Sequence, residues 1–199
     1  QPTAIRTTGN VMLSAGMGGI SEGSNGYVRA GALDVVSGGG VNLGGPNSIS
    51  SFSAVGPGLA AVPGSVNLNN TSDLAVGNIN AGGTLTLDVV GTLSISASGA
   101  QDAIVHSFGG QTITARAVEV SARDGRSASL WNTGPGTQSI VASNGAGVDV
   151  VVPSGGGFAQ ILGDGGSNQS IAVVNGDHIN VNGATGQGSI IAFNTAQTL

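Results

Sequence analysis

A repeat in the C-terminal half of the chain limits its fold more than any other feature. The pattern Gln-Ser/Thr-apolar begins at Gln111, Gln138, Gln169 and Gln197, so a new copy opens about every 28 residues. The first three copies are followed by an alternating segment, such as Val118-Glu119-Val120, and then, past glycines, by a third short apolar piece. Alternation with a period of two buries one face of a strand. The unit is therefore predicted to be three short strands and three turns.

Repeats of this length with three strands each predict a solenoid, because stacked turns bury a continuous apolar column that one turn cannot. Each strand then pairs in parallel with its equivalents, about 4.8 Å above and below. We therefore expect an all-β fold, a right-handed parallel β-helix with three short strands per coil and roughly seven coils. The alternative is an antiparallel sandwich. It is disfavoured because Asn144-Gly145 and Asn175-Gly176 occupy equivalent places in successive repeats, as a recurrent corner with positive φ would.

The N-terminal half repeats more loosely. The segment 40–43 recurs at 65–68, and the segment 30–36 is similar to 81–90. We predict one β-helical domain over residues 1–199, with irregular coils over 1–100 and regular coils of about 28 residues over 101–199. The last residues open a further copy of the repeat. We expect a segment of a longer protein or a subunit that stacks on copies of itself.

Composition excludes several classes of function. The net charge is −5 and the chain has no Lys, which argues against binding of nucleic acid. Cys is absent, so disulfides and thiolate metal sites are excluded. No apolar run reaches the length of about 18 residues that a membrane-spanning helix needs, so insertion into a membrane is not expected.

Several short motifs resemble the β-helical repeats of two-partner-secretion exoproteins, the filamentous-haemagglutinin-like family. They are Gly109-Gly110-Gln111-Thr112-Ile113-Thr114, Asn168-Gln169-Ser170-Ile171, Gly82-Gly83-Thr84-Leu85-Thr86-Leu87 and Gly91-Thr92-Leu93-Ser94-Ile95-Ser96. The resemblance covers most of the chain. It implies a large fibrous protein that is exported through an outer-membrane partner and acts in adhesion at the surface of a Gram-negative bacterium.

The recurrent glutamines are the sharpest candidates for a specific role. Gln111, Gln138, Gln169 and Gln197 are expected to superpose along the rod. Stacked side-chain amides can hydrogen-bond in a ladder, which would fix the register between coils. The alternative is a set of solvent-facing corner residues, and the role is structural in either case.

Three aromatic residues are candidates for a surface or assembly contact. Trp131, Phe158 and Phe193 fall near the third strand of successive coils, with Phe108 beside the preceding corner. They are expected to fill a corner or to contact a neighbouring rod. An exposed aromatic stripe that stacks against glycans is the alternative.

The acidic residues give a weaker signal. Glu119 and Asp149 occupy the outward position of equivalent strands, where stacked carboxylates would raise one pKa or bind Ca²⁺. The simpler interpretation is a pair of solvated charges with Arg116 or Arg123 nearby. No catalytic, cofactor-binding or metal-binding residue is assigned. His106 and His178 lie in non-equivalent positions, and no Ser/His/Asp motif is present.

The sequence thus predicts a non-enzymatic structural protein without a cofactor. It would be the shaft of a secreted adhesin or a subunit of an extracellular filament, associating with itself end to end or side by side. A glycan or a cell-surface receptor is the candidate ligand. The alternatives are a β-helical enzyme that acts on polysaccharide, which needs a cluster of carboxylates on one sheet, and a glycan-binding module.

Overall fold

The computed structural model describes residues 4–144, 146–166, 168–176, 178–192 and 197–199. Within them the chain is all-β, apart from one short 3₁₀ turn at Pro57–Leu59. The strands are β1 (Ala4–Arg6), β2 (Asn10–Ala15), β3 (Ile20–Ser21), β4 (Tyr27–Ser37), β5 (Val41–Val55), β6 (Val66–Asn70), β7 (Leu74–Ala81), β8 (Leu85–Ala97), β9 (Ala103–Ser107), β10 (Gln111–Arg123), β11 (Arg126–Asn132), β12 (Gln138–Ser143), β13 (Val148–Ser154), β14 (Gly157–Gly163), β15 (Gln169–Val174), β16 (Ile179–Asn182), β17 (Gln187–Ala192) and β18 (Gln197–Thr198).

Strands pair in parallel with the equivalent strands of the neighbouring coils, and the register defines three rows of partnered residues. Row 1 runs through Ile20, Val41, Val66, Leu85, Gln111, Gln138, Gln169 and Gln197. Row 2 runs through Val11, Leu33, Phe52, Val76, Ile95, Val120, Val150 and Val181. Row 3 runs through Leu13, Val35, Ala54, Ile79, Val105, Leu130, Ile161 and Ile190. The predicted parallel β-helix is confirmed.

Seven successive coils open at the row 1 residues from Ile20 to Gln169. The shortest coil runs from Val66 to its partner Leu85, and the longest runs from Gln138 to its partner Gln169. Every coil that opens before Leu85 is shorter than every coil that opens at Leu85 or later. The N-terminal coils are therefore shorter and less regular than the C-terminal ones.

One of the two N-terminal matches found in the sequence is confirmed and the other is wrong. Val41 pairs with Val66 and Leu43 with Leu68, as the match of 40–43 with 65–68 predicts. The segment 30–36 is not equivalent to 81–90, because Leu33 lies in row 2 whereas Leu87 pairs with Leu68 on a row 1 strand. All three faces of the coil require the same alternation of apolar and polar residues, so local similarity does not identify the face.

The interior is filled by Val, Ile, Leu and Ala at the inward positions. Leu33, Val120 and Leu130 have no more than 1% of their surface exposed. Phe52 is the one aromatic side chain in the core of the described residues. Each buried Val, Leu or Ile contributes about 1.5–3 kcal/mol relative to an exposed one. β-Branched and aliphatic side chains suit this core because they stack in layers on pleated strands.

Two kinds of corner connect the strands. Asn144 and Asn175 have φ of 69° and 53°, so the predicted recurrent corner with positive φ is confirmed. At the corner between row 3 and row 1, a Cβ on Gly134 would overlap the carbonyl oxygen of Phe108 in the coil before. Glycine at this corner lets successive coils approach closely.

Candidate functional site

The recurrent glutamines lie inside the β-helix. Gln111, Gln138 and Gln169 have 1%, 0% and 1% of their surface exposed. The Nε2 of Gln138 donates to the Oε1 of Gln111 over 2.8 Å, and the Nε2 of Gln169 donates to the Oε1 of Gln138 over 2.7 Å. The structure thus brings three of the four together in an amide ladder. The backbone of Gln197 pairs with Gln169, and its side chain lies outside the described residues.

Each glutamine of this ladder also reaches the row 3 side of the coil. The Nε2 of Gln111 donates to the carbonyl oxygen of Trp131 over 2.7 Å. The Nε2 of Gln138 lies 3.4 Å from the carbonyl oxygen of Leu130, and that of Gln169 lies 3.3 Å from the carbonyl oxygen of Ile191. The amides therefore hydrogen-bond both along the rod and across it, which a solvent-facing corner residue would not do.

A different polar contact joins the coils in the N-terminal half. The buried Oδ1 of Asn70 accepts a hydrogen bond from the backbone N–H of Ile49 over 2.9 Å, and the buried Oδ1 of Asn47 accepts one from Val28 over 2.6 Å. The sequence does not predict these contacts, because each asparagine bonds to backbone and Asn47 and Asn70, although in register, follow Leu43 and Leu68 at different spacings.

The acidic residues form no cluster within the described residues. Glu119 is in register with Asp149, and Asp149 with Asn180. Asp149 accepts a hydrogen bond from the Nδ2 of Asn180 over 2.9 Å and lies 3.2 Å from the Nε2 of His178. Arg116 donates to the hydroxyl of Thr92 over 3.3 Å. Across the described ranges, no three His, Asp or Glu side chains are grouped so that they could hold a metal ion.

The candidate aromatic residues do not share one row. Trp131 is in register with His106 and Leu162, whereas Phe158 is in register with Ser127 and Gln187. Both side chains point outward, with 36% of Trp131 and 48% of Phe158 exposed. They lie at opposite ends of the row 3 strands. Phe193 lies outside the described residues.

Trp131 instead packs against His106, which also contacts Phe108. The ring centroids of His106 and Trp131 are 5.0 Å apart, and those of His106 and Phe108 are 4.4 Å apart in an edge-to-face arrangement. Aromatic pairs at such separations contribute about 0.5–1.5 kcal/mol beyond the area they bury.

A groove of about 230 Å³ lies beside this cluster, on the outer surface of row 3. Asn80 is in register with His106, and His106 with Trp131, so the groove crosses successive coils along the rod. The loop at Pro57–Leu59 brings Leu59 to the other side. The lining residues are Val55, Leu59, Asn78, Ile79, Asn80, Ile104, His106 and Trp131.

His106 is held in the floor of the groove by two hydrogen bonds. Its Nδ1 lies 3.2 Å from the Oδ1 of Asn80, and its Nε2 lies 2.9 Å from the hydroxyl of Thr133. An amide oxygen only accepts, so Nδ1 carries the proton and the Thr133 hydroxyl donates to Nε2 when the ring is neutral. Desolvation by burial lowers the pKa of His106 from its ordinary value. The groove therefore has no charge from this residue at neutral pH.

Most of the groove was not anticipated from the sequence. Trp131 is the one candidate contact residue from the sequence that lines it, and the structure adds Leu59, Asn78, Asn80 and Ile104. The register that joins them crosses the irregular coils, where no repeat motif indicates which residues superpose. The segment Gly56-Pro57-Gly58, which interrupts two apolar stretches, is the one local signal of a projecting loop.

None of the described residues forms a helix long and apolar enough to cross a membrane. Comparisons of the chain with protein-family models, with curated proteins and with solved structures found no match.

Proposed function

We propose that this chain is a structural rod: part of the shaft of a secreted adhesin, or a subunit of an extracellular filament at the surface of a Gram-negative bacterium. The observation that carries the proposal is the continuity of three parallel rows through seven coils around one apolar interior. At about 4.8 Å per coil, these coils give a rod on the order of 35 Å long.

The interior favours a mechanical role. Backbone ladders cross from each coil to the next on all three faces, and the amides of Gln111, Gln138 and Gln169 add a fourth line of hydrogen bonds inside. A solenoid built in this way is stabilised by contacts between neighbouring coils. It can therefore span distance by repetition, which suits a shaft.

Secretion and adhesion belong to the same proposal. The resemblance of the Gly-Gln-Thr-Ile and Gly-Thr-Leu motifs to filamentous-haemagglutinin-like exoproteins supports them. Association of the rod with further copies, end to end or side by side, is part of the proposal, because strand edges can pair with strands of matching register.

Insertion of one extra coil tests the rod. A second copy of residues 138–168, placed after residue 168, adds one period of the Gln-to-Gln spacing. We expect the variant to keep its β-sheet circular dichroism and to lengthen by about 4.8 Å in small-angle X-ray scattering. A Gly/Ser linker of the same length, inserted at the same point, controls for added mass. A variant that unfolds, or whose long dimension does not grow, would contradict the rod.

Electron microscopy of the isolated protein tests association. End-to-end or laterally paired rods are expected at high protein concentration. Particles that stay monomeric at every concentration would limit the proposal to a shaft segment and would refute the filament subunit.

A further inference from the structure

The groove beside Trp131 has the features of a ligand site, and they are independent of the rod's mechanical role. It is walled by the indole of Trp131 and by Leu59, and Ile104 contributes further apolar surface. These three side chains are exposed apolar residues on the outer surface of a rod whose other apolar side chains largely face inward. Exposed apolar patches of this kind on a soluble surface often mark binding sites.

The groove is electrically neutral. None of the residues that line it is an Asp, Glu, Arg or Lys. The one ionisable side chain of its lining is His106, whose pKa is lowered by burial. A charged ligand would lose hydration here without gaining a counter-charge. The ligand is therefore expected to be neutral.

Two amide groups offer hydrogen-bond donors beside the apolar wall. The Oδ1 of Asn78 accepts from the backbone N–H of Ile104 over 3.0 Å, and the Oδ1 of Asn80 is bound by His106. These contacts orient both side chains. Neither Nδ2 has a hydrogen-bond partner among the described residues, so each retains two N–H donors.

The volume sets the size of the ligand. About 230 Å³ is below the 300–1,000 Å³ typical of pockets for drug-sized ligands, so one small ring fits better than an extended molecule. A ligand with one apolar face for the indole, hydroxyls at its edge for the amides and no charge is a pyranose.

We propose that this groove binds a neutral pyranose sugar, with one face of the ring stacked on Trp131 and its hydroxyls accepting hydrogen bonds from the Nδ2 groups of Asn78 and Asn80. The site lies on the side of the rod, so it remains accessible in a shaft or filament that grows along its axis. It does not require that the rod belong to an adhesin, since the isolated chain contains every residue involved.

The single tryptophan of the chain makes the site directly observable, because all indole fluorescence comes from Trp131. The probes are D-glucose, D-galactose, D-mannose and N-acetyl-D-glucosamine, each titrated into the wild-type protein. At least one is expected to change the emission saturably, with a Kd on the order of 1 mM, as is usual for a small ligand with few contacts. D-Glucuronate, which differs from glucose by a carboxylate in place of a hydroxymethyl group, is expected to bind at least tenfold more weakly than glucose if glucose binds.

Variants locate the binding. Titration calorimetry with the sugar that binds best is expected to show at least tenfold weaker affinity for Trp131→Ala. The matched control Phe158→Ala removes another half-exposed aromatic from the same outer surface, outside the groove, and is expected to keep wild-type affinity. Circular dichroism of both variants verifies the fold. The proposal is overturned if none of the four sugars gives a saturable change up to about 100 mM, two orders of magnitude above the expected Kd. It is also overturned if Trp131→Ala binds as tightly as Phe158→Ala, or if glucuronate binds as tightly as glucose.

Discussion

Replacement of the central glutamine of the ladder gives the sharpest test of what holds the C-terminal coils in register. Gln138→Leu keeps the approximate volume of the side chain and removes both amide–amide hydrogen bonds, of 2.8 Å to Gln111 and 2.7 Å from Gln169. Leucine itself is compatible with this position of the coil, since Leu85 occupies it in row 1. The change therefore isolates the hydrogen bonds from the shape of the side chain.

The magnitude follows from the burial of the ladder. Each lost hydrogen bond contributes about 1 kcal/mol net, and the Oε1 of Gln111, left buried without its donor, costs about 1–3 kcal/mol more. The apolar contacts of the new leucine offset about 1 kcal/mol of this loss. We expect Gln138→Leu to lower the free energy of unfolding by about 2–4 kcal/mol.

Urea unfolding followed by circular dichroism measures this change. Hydrogen exchange of the β10 and β12 amides then places it in the coils that the ladder joins, because coils of a solenoid can open separately. The matched control is Ser139→Ala, the outward neighbour on the same strand, which should change the free energy by less than about 0.5 kcal/mol.

A triple variant tests whether the three glutamines act together as a ladder or contribute independently as three buried amides. Gln111→Leu, Gln138→Leu and Gln169→Leu together remove donors and acceptors alike, so no amide within the ladder is left with a missing partner. The triple variant should therefore cost at least about 1 kcal/mol less than the sum of the three single variants. A Gln138→Leu protein as stable as the wild type, or strict additivity in the triple variant, would refute the reasoning.

Three further predictions concern the N-terminal coils, the histidine and the corners. Asn70→Ala removes the buried amide that binds the N–H and the carbonyl of Ile49. It should lower the free energy of unfolding in urea titrations by about 2–4 kcal/mol. The control Asn69→Ala, at the outward neighbouring position, should change this free energy little. Burial lowers the folded-state pKa of His106, so the unfolded chain takes up this proton first as pH falls. The stability from neutral His106 is thus complete above pH about 6.5 and declines as pH falls below it. The Tm of the wild type should therefore fall more steeply than that of His106→Gln between pH 7.5 and 5, and parallel Tm curves would contradict this. Gly134→Ala places a Cβ against the Phe108 carbonyl oxygen and should lower the Tm clearly in thermal scans, while Gly18→Ala, with open space around its Cβ, should leave the Tm within error.

The regular half of the fold could be predicted from the sequence because its register is fixed by contacts between identical side chains in successive coils. A Gln–Gln ladder requires a glutamine at the same place in every coil, so the contact appears in the sequence as a repeat. The same logic placed the corner asparagines, since Asn144 and Asn175 both adopt the positive φ that such a corner requires. The repeated motif was therefore sufficient for strand order, coil length and corner position over this half.

The binding groove could not be predicted in this way. Three of its lining residues, Asn80, His106 and Trp131, are in register in three successive coils, and they are of three different types. Leu59 comes from an insertion that no other coil of the described residues shares. The groove thus lies where the repeat is broken, and a search for periodicity cannot find such a place.

The N-terminal coils show that register can be specified without a visible repeat. Rows of Val and Leu exclude a shift of one residue, which would turn the apolar side chains outward, but a shift of two residues still pairs apolar with apolar. A buried polar group excludes that shift as well, because it would lose its hydrogen-bond partner. In the C-terminal coils that group is the glutamine amide. In the N-terminal coils it is Asn47 or Asn70, each accepting from a backbone N–H of the coil before it. Every residue except proline has that N–H, so the sequence does not show which residue is the partner. Row 1 therefore needs no glutamine in these coils, and Val41, Val66 and Leu85 occupy it.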